Sequence, residues 1–452
     1  MFLLRPKFLA FLINCLAIYT YVFSINTEDS SPSNDSTLYV IYTSFLVSLL
    51  MFFRSVLNCF LFQGVTWTFW IVFLHIAPIV QIKLNIFPMA SIVDPSKNLP
   101  SVIIILLGTL LLSIGFLLPE KSGKHFYSSY VRAEVQLGFI KRTLFLGFIL
   151  FLFIILRTSP SVFLLPRVEF EEAIRYVFIS PQFSLMLIAT CKMTLLTAAC
   201  YILLNREYLV RNLFTQIYYF SVVLLAIFVS NPVCSSRLSF VGSILALFLS
   251  AGRINIKLIS YFLISILPFY IFAFPLLDYF RTRSTRAKQQ GVFSSFFNPD
   301  FDAYQQLLNT ITFVDERGFQ FGKQIVGAIL FFVPSSFWHT KPISSGPLVA
   351  QNLSLRWTNL SSPLPAEAFI DFGTLGVIVY CFFAARLILK ADAYIEWSRI
   401  NSQFKSIALA LLLILSGQLS LLLRGALLGV VGPSVILLII YFSFRIAHVS
   451  KA

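Results

Sequence analysis

The sequence predicts an all-α polytopic membrane protein with about twelve transmembrane helices and one large outer loop. The chain has 452 residues, of which 58% are apolar. Runs of about 20 apolar residues recur along it, and a helix of that length crosses the hydrocarbon core of a bilayer. The runs are continuous rather than alternating, which argues against a transmembrane β-barrel. One long polar stretch, residues 278–367, interrupts the pattern.

The apolar runs divide the chain into three parts. Residues 1–277 hold predicted spans 1–9, residues 278–367 form the large loop, and residues 368–452 hold spans 10–12. No small-residue cleavage site follows the first run, so we expect it to remain as a span. The predicted spans are 8–25, 38–53, 60–81, 101–118, 143–156, 184–204, 213–230, 238–251, 258–277, 369–389, 407–423 and 427–444.

Basic residues predict the orientation of the spans. The loop after span 4 carries five of them: Lys121, Lys124, Arg132, Lys141 and Arg142. Cytoplasmic loops of membrane proteins are enriched in Lys and Arg, so this loop is predicted to be cytoplasmic. Twelve spans then place both termini in the cytoplasm and the large loop outside. Basic residues that hold the cytoplasmic loops in place account for part of the net charge of +15. We therefore expect the lipid bilayer as the partner and do not expect nucleic acid.

The large loop is predicted to be folded. Asn298 and Pro299 are typical of a helix start, and apolar residues then recur at helical spacing as far as Gly318. The next apolar run, 325–334, is too short to cross a bilayer, so we expect an interfacial or re-entrant segment.

A basic cluster stands where span 9 leaves the membrane on the predicted outer side. It consists of Arg281, Arg283, Arg286 and Lys288. The positive-inside rule does not explain basic residues there. Arginine binds phosphate oxygens with two parallel N–H groups, so a lipid diphosphate is one expected ligand. The alternative is a solvated patch that contacts anionic headgroups.

Arg237 and Arg424 are each the only basic residue in a tight predicted outer turn. Either side chain could point back into the helix bundle and bind a ligand. The alternative is that each extends to the membrane surface simply to keep its charge in water.

Three further charged residues are candidates for a functional site. Lys192 falls near the middle of span 6, where a charge is costly and usually functional. It could bind a lipid diphosphate or form a structural ion pair. Glu367 stands at the start of span 10 and could be a general base, and Lys341 lies late in the loop beside His339. The alternative for Glu367 and His339 is an interfacial anchor or a structural ion pair, and for Lys192 it is a shift of the span boundaries.

The pair Asp300 and Asp302 invites a metal-binding interpretation, which we reject in favour of acids at a helix start and solvated loop charges. Positions two apart on a helix point to different faces. We find no metal-binding constellation, Gly-rich phosphate loop or Ser/His/Asp arrangement, so the sequence implies no metal and no cofactor.

Several short motifs, together with the layout of spans, resemble the O-antigen polymerase family, the Wzy-type oligosaccharide repeat-unit polymerases. The layout covers the whole chain, and the motifs cover roughly residues 231–425. Arg424-Gly425 fits between the last two spans. The other motifs are Asn231-Pro-x-x-Ser-Ser-Arg237-Leu-Ser-Phe, Phe-Val-Pro334-x-x-x-Trp338-x-x-Lys341-Pro342-x-x-x-Gly346 and Pro365-x-Glu367-Ala-x4-Gly373-x-x-Gly376.

This resemblance implies a type-C glycosyltransferase-like fold in the bacterial inner membrane, with a periplasmic active site. Such enzymes move a growing glycan from one undecaprenyl diphosphate carrier onto the sugar of another carrier-linked repeat unit. They usually work with a chain-length regulator protein. The related O-antigen ligases share the layout but use a late-loop His, and here Glu367 precedes the Gly373-x-x-Gly376 motif. This favours polymerase; a ligase and a lipid-linked oligosaccharide flippase stay open as alternatives.

The chemistry expected for the resemblance assigns roles to the candidate residues. Arg237, Arg281 and Arg424 would stabilise the leaving diphosphate, and Glu367 would be the base or would orient the acceptor. Secondary diphosphate-binding candidates are Arg283, Arg286, Lys341 and Lys192. The motifs support Arg237, Lys341, Glu367 and Arg424, whereas Arg281, Arg283 and Arg286 rest on their position alone.

Overall fold

The fold was examined in a computed structural model. It describes residues 32–89, 93–119, 133–175, 181–209, 212–274, 296–331, 333, 337–355, 358, 360–401 and 405–449. The described part is helical and contains no β-strand. Its α-helices are α1 Pro32–Asn58, α2 Leu61–Leu84, α3 Asn98–Leu117, α4 Ala133–Arg157, α5 Arg167–Arg175, α6 Pro181–Leu204, α7 Arg206–Leu209, α8 Leu213–Val229, α9 Arg237–Ala251, α10 Ile256–Ala273, α11 Ala303–Arg317, α12 Lys323–Ile329, α13 Ser345–Asn352, α14 Leu364–Asn401, α15 Ile407–Arg424 and α16 Leu427–Val449.

Seven of the described helices are long and apolar enough to cross a membrane: α1, α2, α3 with its preceding turn, α6, α10, α14 and α15. The helices α8 and α9 and the stretch Leu427–Ile440 of α16 are apolar but shorter. These findings confirm an α-helical membrane protein. Each predicted span from the second to the twelfth coincides with a described helix, while the first, 8–25, lies outside the described residues. The total of twelve spans stays a prediction.

The helix predicted in the large loop is confirmed. A 3₁₀ turn, Pro299–Phe301, precedes α11, and Gly318 ends that helix with a φ of 75°. Glycine adopts this left-handed backbone at little cost, and for this reason it commonly terminates helices. The apolar side of α11 is buried, so the loop is folded against the bundle.

Two of the long helices depart from regular α geometry. In α2, Val72–Ile76 forms a π-helical turn just before Pro78. The missing N–H of this proline, which cannot bond to the preceding turn, explains the rearrangement. In α14, Gly373 has a φ of 61°, which breaks the helix after its first turns. Loop amides use the freed carbonyls: Gln320 N donates to Ile370 O at 2.8 Å.

The helices α9 and α15 pack against each other in antiparallel fashion through two glycines. Gln418 on α15 donates to the backbone oxygen of Ser239 on α9, with a distance of 3.1 Å. Gly242 and Gly417 are in direct backbone contact one turn further along. Small residues let membrane helices approach this closely. This crossing sets which helix ends meet: Arg237, at the start of α9, lies at the same end of the bundle as Arg424, at the end of α15.

We expect Gly417→Ala to destabilise the protein because the added methyl group would overlap the backbone oxygen of Gly242. Overpacking of this kind costs about 1–3 kcal/mol. The measurement is the thermal unfolding midpoint in detergent. Gly432→Ala is the matched control, since a methyl group there meets nothing within 4 Å. Equal midpoints for the two variants would contradict the close crossing.

Candidate functional site

Arg237 is held at the start of α9 by the turn before it and by an acidic partner from the loop. The side chain of Asn231 accepts hydrogen bonds within this turn, and Ser236 caps α9 through its hydroxyl. The guanidinium group of Arg237 forms an ion pair with Asp300 and lies 5.5 Å from the ring centroid of Phe274. Arg237 is only 7% exposed. It therefore points into the bundle, as one of its two sequence interpretations required.

Arg424, at the end of α15, forms the second ion pair. Its Nη2 lies 2.7 Å from Oδ1 of Asp302 and also donates to Pro299 O at 2.8 Å. Asp302 is buried, and its other oxygen accepts from the backbone N–H of Ser361. The backbone N–H of Ser362 donates to Arg424 O at 2.9 Å. The turn that carries Pro299 and Asp302 and the loop segment that carries Ser362 therefore both bind Arg424.

Together Arg237, Asp300, Asp302 and Arg424 form what we call the arginine–aspartate cluster. Our interpretation of the two aspartates as solvated loop charges is wrong: both carboxylates are ion-paired, and Asp302 is only 1% exposed. Their different directions are as expected for positions two apart, since each reaches a different arginine. No sequence pattern indicated these two ion pairs, because each aspartate lies far along the chain from its arginine.

The turn that carries the aspartates is anchored by aromatic and amide contacts. Phe301 is buried and stacks on Phe73 of α2, with ring centroids 5.2 Å apart. The side chain of Gln81 donates to the backbone oxygens of Phe296 and Phe301 at 2.9 and 3.0 Å. These contacts hold the turn in place independently of the ion pairs. The position of the cluster therefore follows from packing as well as from charge.

Glu367 lies in the first turn of α14 and is buried, with 2% of its surface exposed. The hydroxyl of Ser345 donates to its carboxylate. Ser362 and the backbone of Leu427 lie beside the same carboxylate. Because the amide of Ser362 also binds Arg424 O, the carboxylate and the cluster share one loop segment. We did not predict Ser345; no sequence pattern distinguishes it from other loop serines.

Lys192 lies in the middle of α6 and is 7% exposed. Its Nζ donates to the hydroxyl of Ser239 at 2.7 Å, and Ser239 is in the first turn of α9, two residues after Arg237. The lysine therefore lies close to the cluster. The thiol of Cys234 is near its ammonium group, and burial raises the pKa of that thiol.

The remaining predicted residues fall into two groups. Lys341 donates to the backbone oxygens of Phe331 and Val333 at 2.6 and 2.8 Å, so it holds its own loop together in this conformation. His339 is exposed. The outer basic residues are outside the described part of the chain, so their diphosphate role stays a prediction: Arg281, Arg283, Arg286 and Lys288.

The arrangement can bind an oxyanion without a metal. Arg237 and Arg424 bring two guanidinium groups to one end of the bundle, and Lys192 adds a third cation nearby. The two aspartates balance the arginine charges. Among the described residues, no group of three or more His, Cys, Asp or Glu side chains is placed to hold a metal ion.

Comparisons with known proteins give no assignment: no family model matches the chain, and no curated protein or solved structure matches it.

We expect Asp302→Leu and Arg424→Met each to lower stability, because each leaves a charge in a largely buried site without its partner. Removing one member of a buried pair costs roughly 3–5 kcal/mol, whereas replacing both members with apolar side chains costs far less. The double variant should therefore unfold at a higher temperature than the sum of the single effects implies. Additive effects on the unfolding midpoint would show that the two side chains do not interact energetically.

Proposed function

We propose that the chain polymerises undecaprenyl-diphosphate-linked oligosaccharide repeat units into O-antigen or a similar surface polysaccharide. In this proposal it is a type-C-like glycosyltransferase of the bacterial inner membrane, with its site at the periplasmic ends of the helices. The observation that carries the proposal is the convergence of Arg237, Arg424 and Glu367. These residues come from three separate motifs, and they meet at one end of the bundle.

The position of the cluster suits a substrate that is anchored in lipid. The arginines lie at the ends of two apolar helices, α9 and α15. A diphosphate attached to a long isoprenoid chain would be held at this depth while its glycan extends into the water phase. Arginine forks match diphosphate oxygens in geometry and charge. No metal is required for such a group to leave.

The reaction assigns a separate task to each residue. A hydroxyl of the acceptor sugar attacks the anomeric carbon of the donor sugar, and a new C–O bond forms as the bond to the diphosphate breaks. The electron pair leaves with the diphosphate, where Arg237 and Arg424 stabilise the developing charge. The proton of the hydroxyl passes to the carboxylate of Glu367. Holding two lipid-anchored substrates together lowers the entropic part of the barrier.

The carboxylates of Asp300 and Asp302 would act as stand-ins for the substrate. They keep both guanidinium groups in place when no diphosphate is bound. On binding, the diphosphate competes with a carboxylate for the same N–H groups. Fixed donors that need no reorganisation during the reaction are the most effective form of electrostatic catalysis.

Two observations bear on the alternatives. A ligase of this layout would use a late-loop histidine, and His339 is exposed whereas Glu367 is buried beside the cluster. A flippase would need charges along a path through the bundle. Lys192 was the candidate for such a path, and its ammonium group lies beside the first turn of α9, close to the other cations. Both observations favour the polymerase.

We expect cells that lack this gene to make lipopolysaccharide carrying a single repeat unit on its core, and cells with Arg237→Ala to match them at normal protein level. The reason is loss of charge stabilisation on the leaving diphosphate. The measurement is the lipopolysaccharide ladder on a gel. Arg175→Ala is the control, because Arg175 is exposed, and it should leave the ladder unchanged.

A second variant separates chemistry from folding. Glu367→Gln keeps the shape of the side chain and an oxygen for the Ser345 hydroxyl, so the protein level should persist while the ladder is lost. A core with no repeat unit in the deletion strain would indicate ligase or flippase. An unchanged ladder in that strain would contradict the proposal for this polymer.

A further inference from the structure

A cavity of about 630 Å³ lies at the opposite end of the bundle from the arginine–aspartate cluster. It is bordered by the loop between α9 and α10, by the end of α14 and by the start of α15. The helix α15 is 18 residues long, which corresponds to roughly 27 Å at 1.5 Å per residue. The cavity is therefore remote from the proposed catalytic site.

Three cations converge on this cavity: Arg253, Arg399 and Lys405. Of the described residues that line it, none is acidic. Glu207 forms an ion pair with Arg253, and Glu396 lies 4.0 Å from Arg399 at the weak limit of an ion pair. Both glutamates are more than half exposed, so water weakens their hold on the arginines. The cavity keeps an excess of positive charge.

Lys405 is built into the fold at this position. Its backbone N–H and C=O are both bound by the buried side chain of Asn205, at 2.8 and 3.0 Å. Lys405 is 6% exposed, and its ammonium group donates to the backbone oxygen of Ser398 at 2.8 Å. Burial lowers the pKa of Lys405, and the charges of Arg253 and Arg399 lower it further. An anion in the cavity would relieve this repulsion.

The backbone of the loop between α9 and α10 is strained at two residues. Arg253 and Ile254 have φ values of 52° and 56°, in the left-handed region. This region is unfavourable for a β-branched residue such as isoleucine. Strained residues of this kind tend to occur at binding sites, where the surrounding structure holds them. Both residues line the cavity.

We propose that this cavity binds a phosphate group, carried by an anionic phospholipid or free in solution. Arginine and lysine together are the residues that recognise phosphate most effectively. Ile256 and Tyr208 add exposed apolar surface to the wall, which suits the glycerol and acyl carbons that follow a lipid phosphate. The loops concerned are those predicted to face the cytoplasm, where the leaflet is rich in anionic lipid. The proposal does not depend on the polymerase function.

The test is thermal unfolding of the purified full-length protein in neutral detergent with one added component: phosphatidylglycerol, phosphatidylcholine or inorganic phosphate. We expect phosphatidylglycerol to raise the unfolding midpoint by several degrees over phosphatidylcholine, and Arg399→Gln to lose at least half of that rise. Lys257→Gln is the matched control, since Lys257 is exposed in the first turn of α10, next to this loop, and does not line the cavity. It should keep the full rise.

The outcomes separate the ligand sources from a general surface effect. A rise with inorganic phosphate alone identifies the free anion as sufficient, and a rise with phosphatidylglycerol only identifies the lipid headgroup. Equal midpoints with phosphatidylglycerol, phosphatidylcholine and phosphate overturn the proposal. So does an equal loss in Arg399→Gln and Lys257→Gln, which would show attraction by net charge alone. If Arg399→Gln does not fold, Arg253→Gln replaces it.

Discussion

Two ion pairs, Arg237–Asp300 and Arg424–Asp302, join the polar segment to the membrane helices, and the geometry of the candidate site depends on them. Away from water, an unmatched charge costs several kcal/mol, so each partner fixes the position of the other. The turn that carries the aspartates leads directly into α11. The segment that binds Asp302 and Arg424 leads into α14 and therefore positions Glu367.

The same pairs explain how an electrostatic site can be ready before its substrate arrives. Guanidinium groups left without anions in a bundle of apolar helices would repel one another and attract water. The aspartates balance them and hold them in one arrangement. In the proposed function a diphosphate would use this arrangement, and its net attraction would be weaker because it would have to displace a carboxylate. Buried pairs often contribute more to specificity of arrangement than to stability.

Sequence reasoning located the helices and the arginines but not the pairing between charges. Apolar runs report helices directly, and Arg237 and Arg424 were identified because each is isolated in a short turn. The burial of Asp302 depends on how a 3₁₀ turn packs against α2, which no local pattern reveals. The place of Lys192 in the middle of span 6 did not reveal its partner: its ammonium group contacts Ser239 in the first turn of α9.

The central claim is that the arginines bind a lipid diphosphate in competition with the aspartates. The most direct measurement is the affinity of the purified protein for undecaprenyl diphosphate in detergent, for wild type, Asp300→Asn and Arg237→Gln. The account predicts tighter binding by Asp300→Asn and weaker binding by Arg237→Gln, because the two changes act on opposite sides of one competition. Weaker binding by both variants, or unchanged binding by Arg237→Gln, would contradict it and leave the cluster with a structural role only.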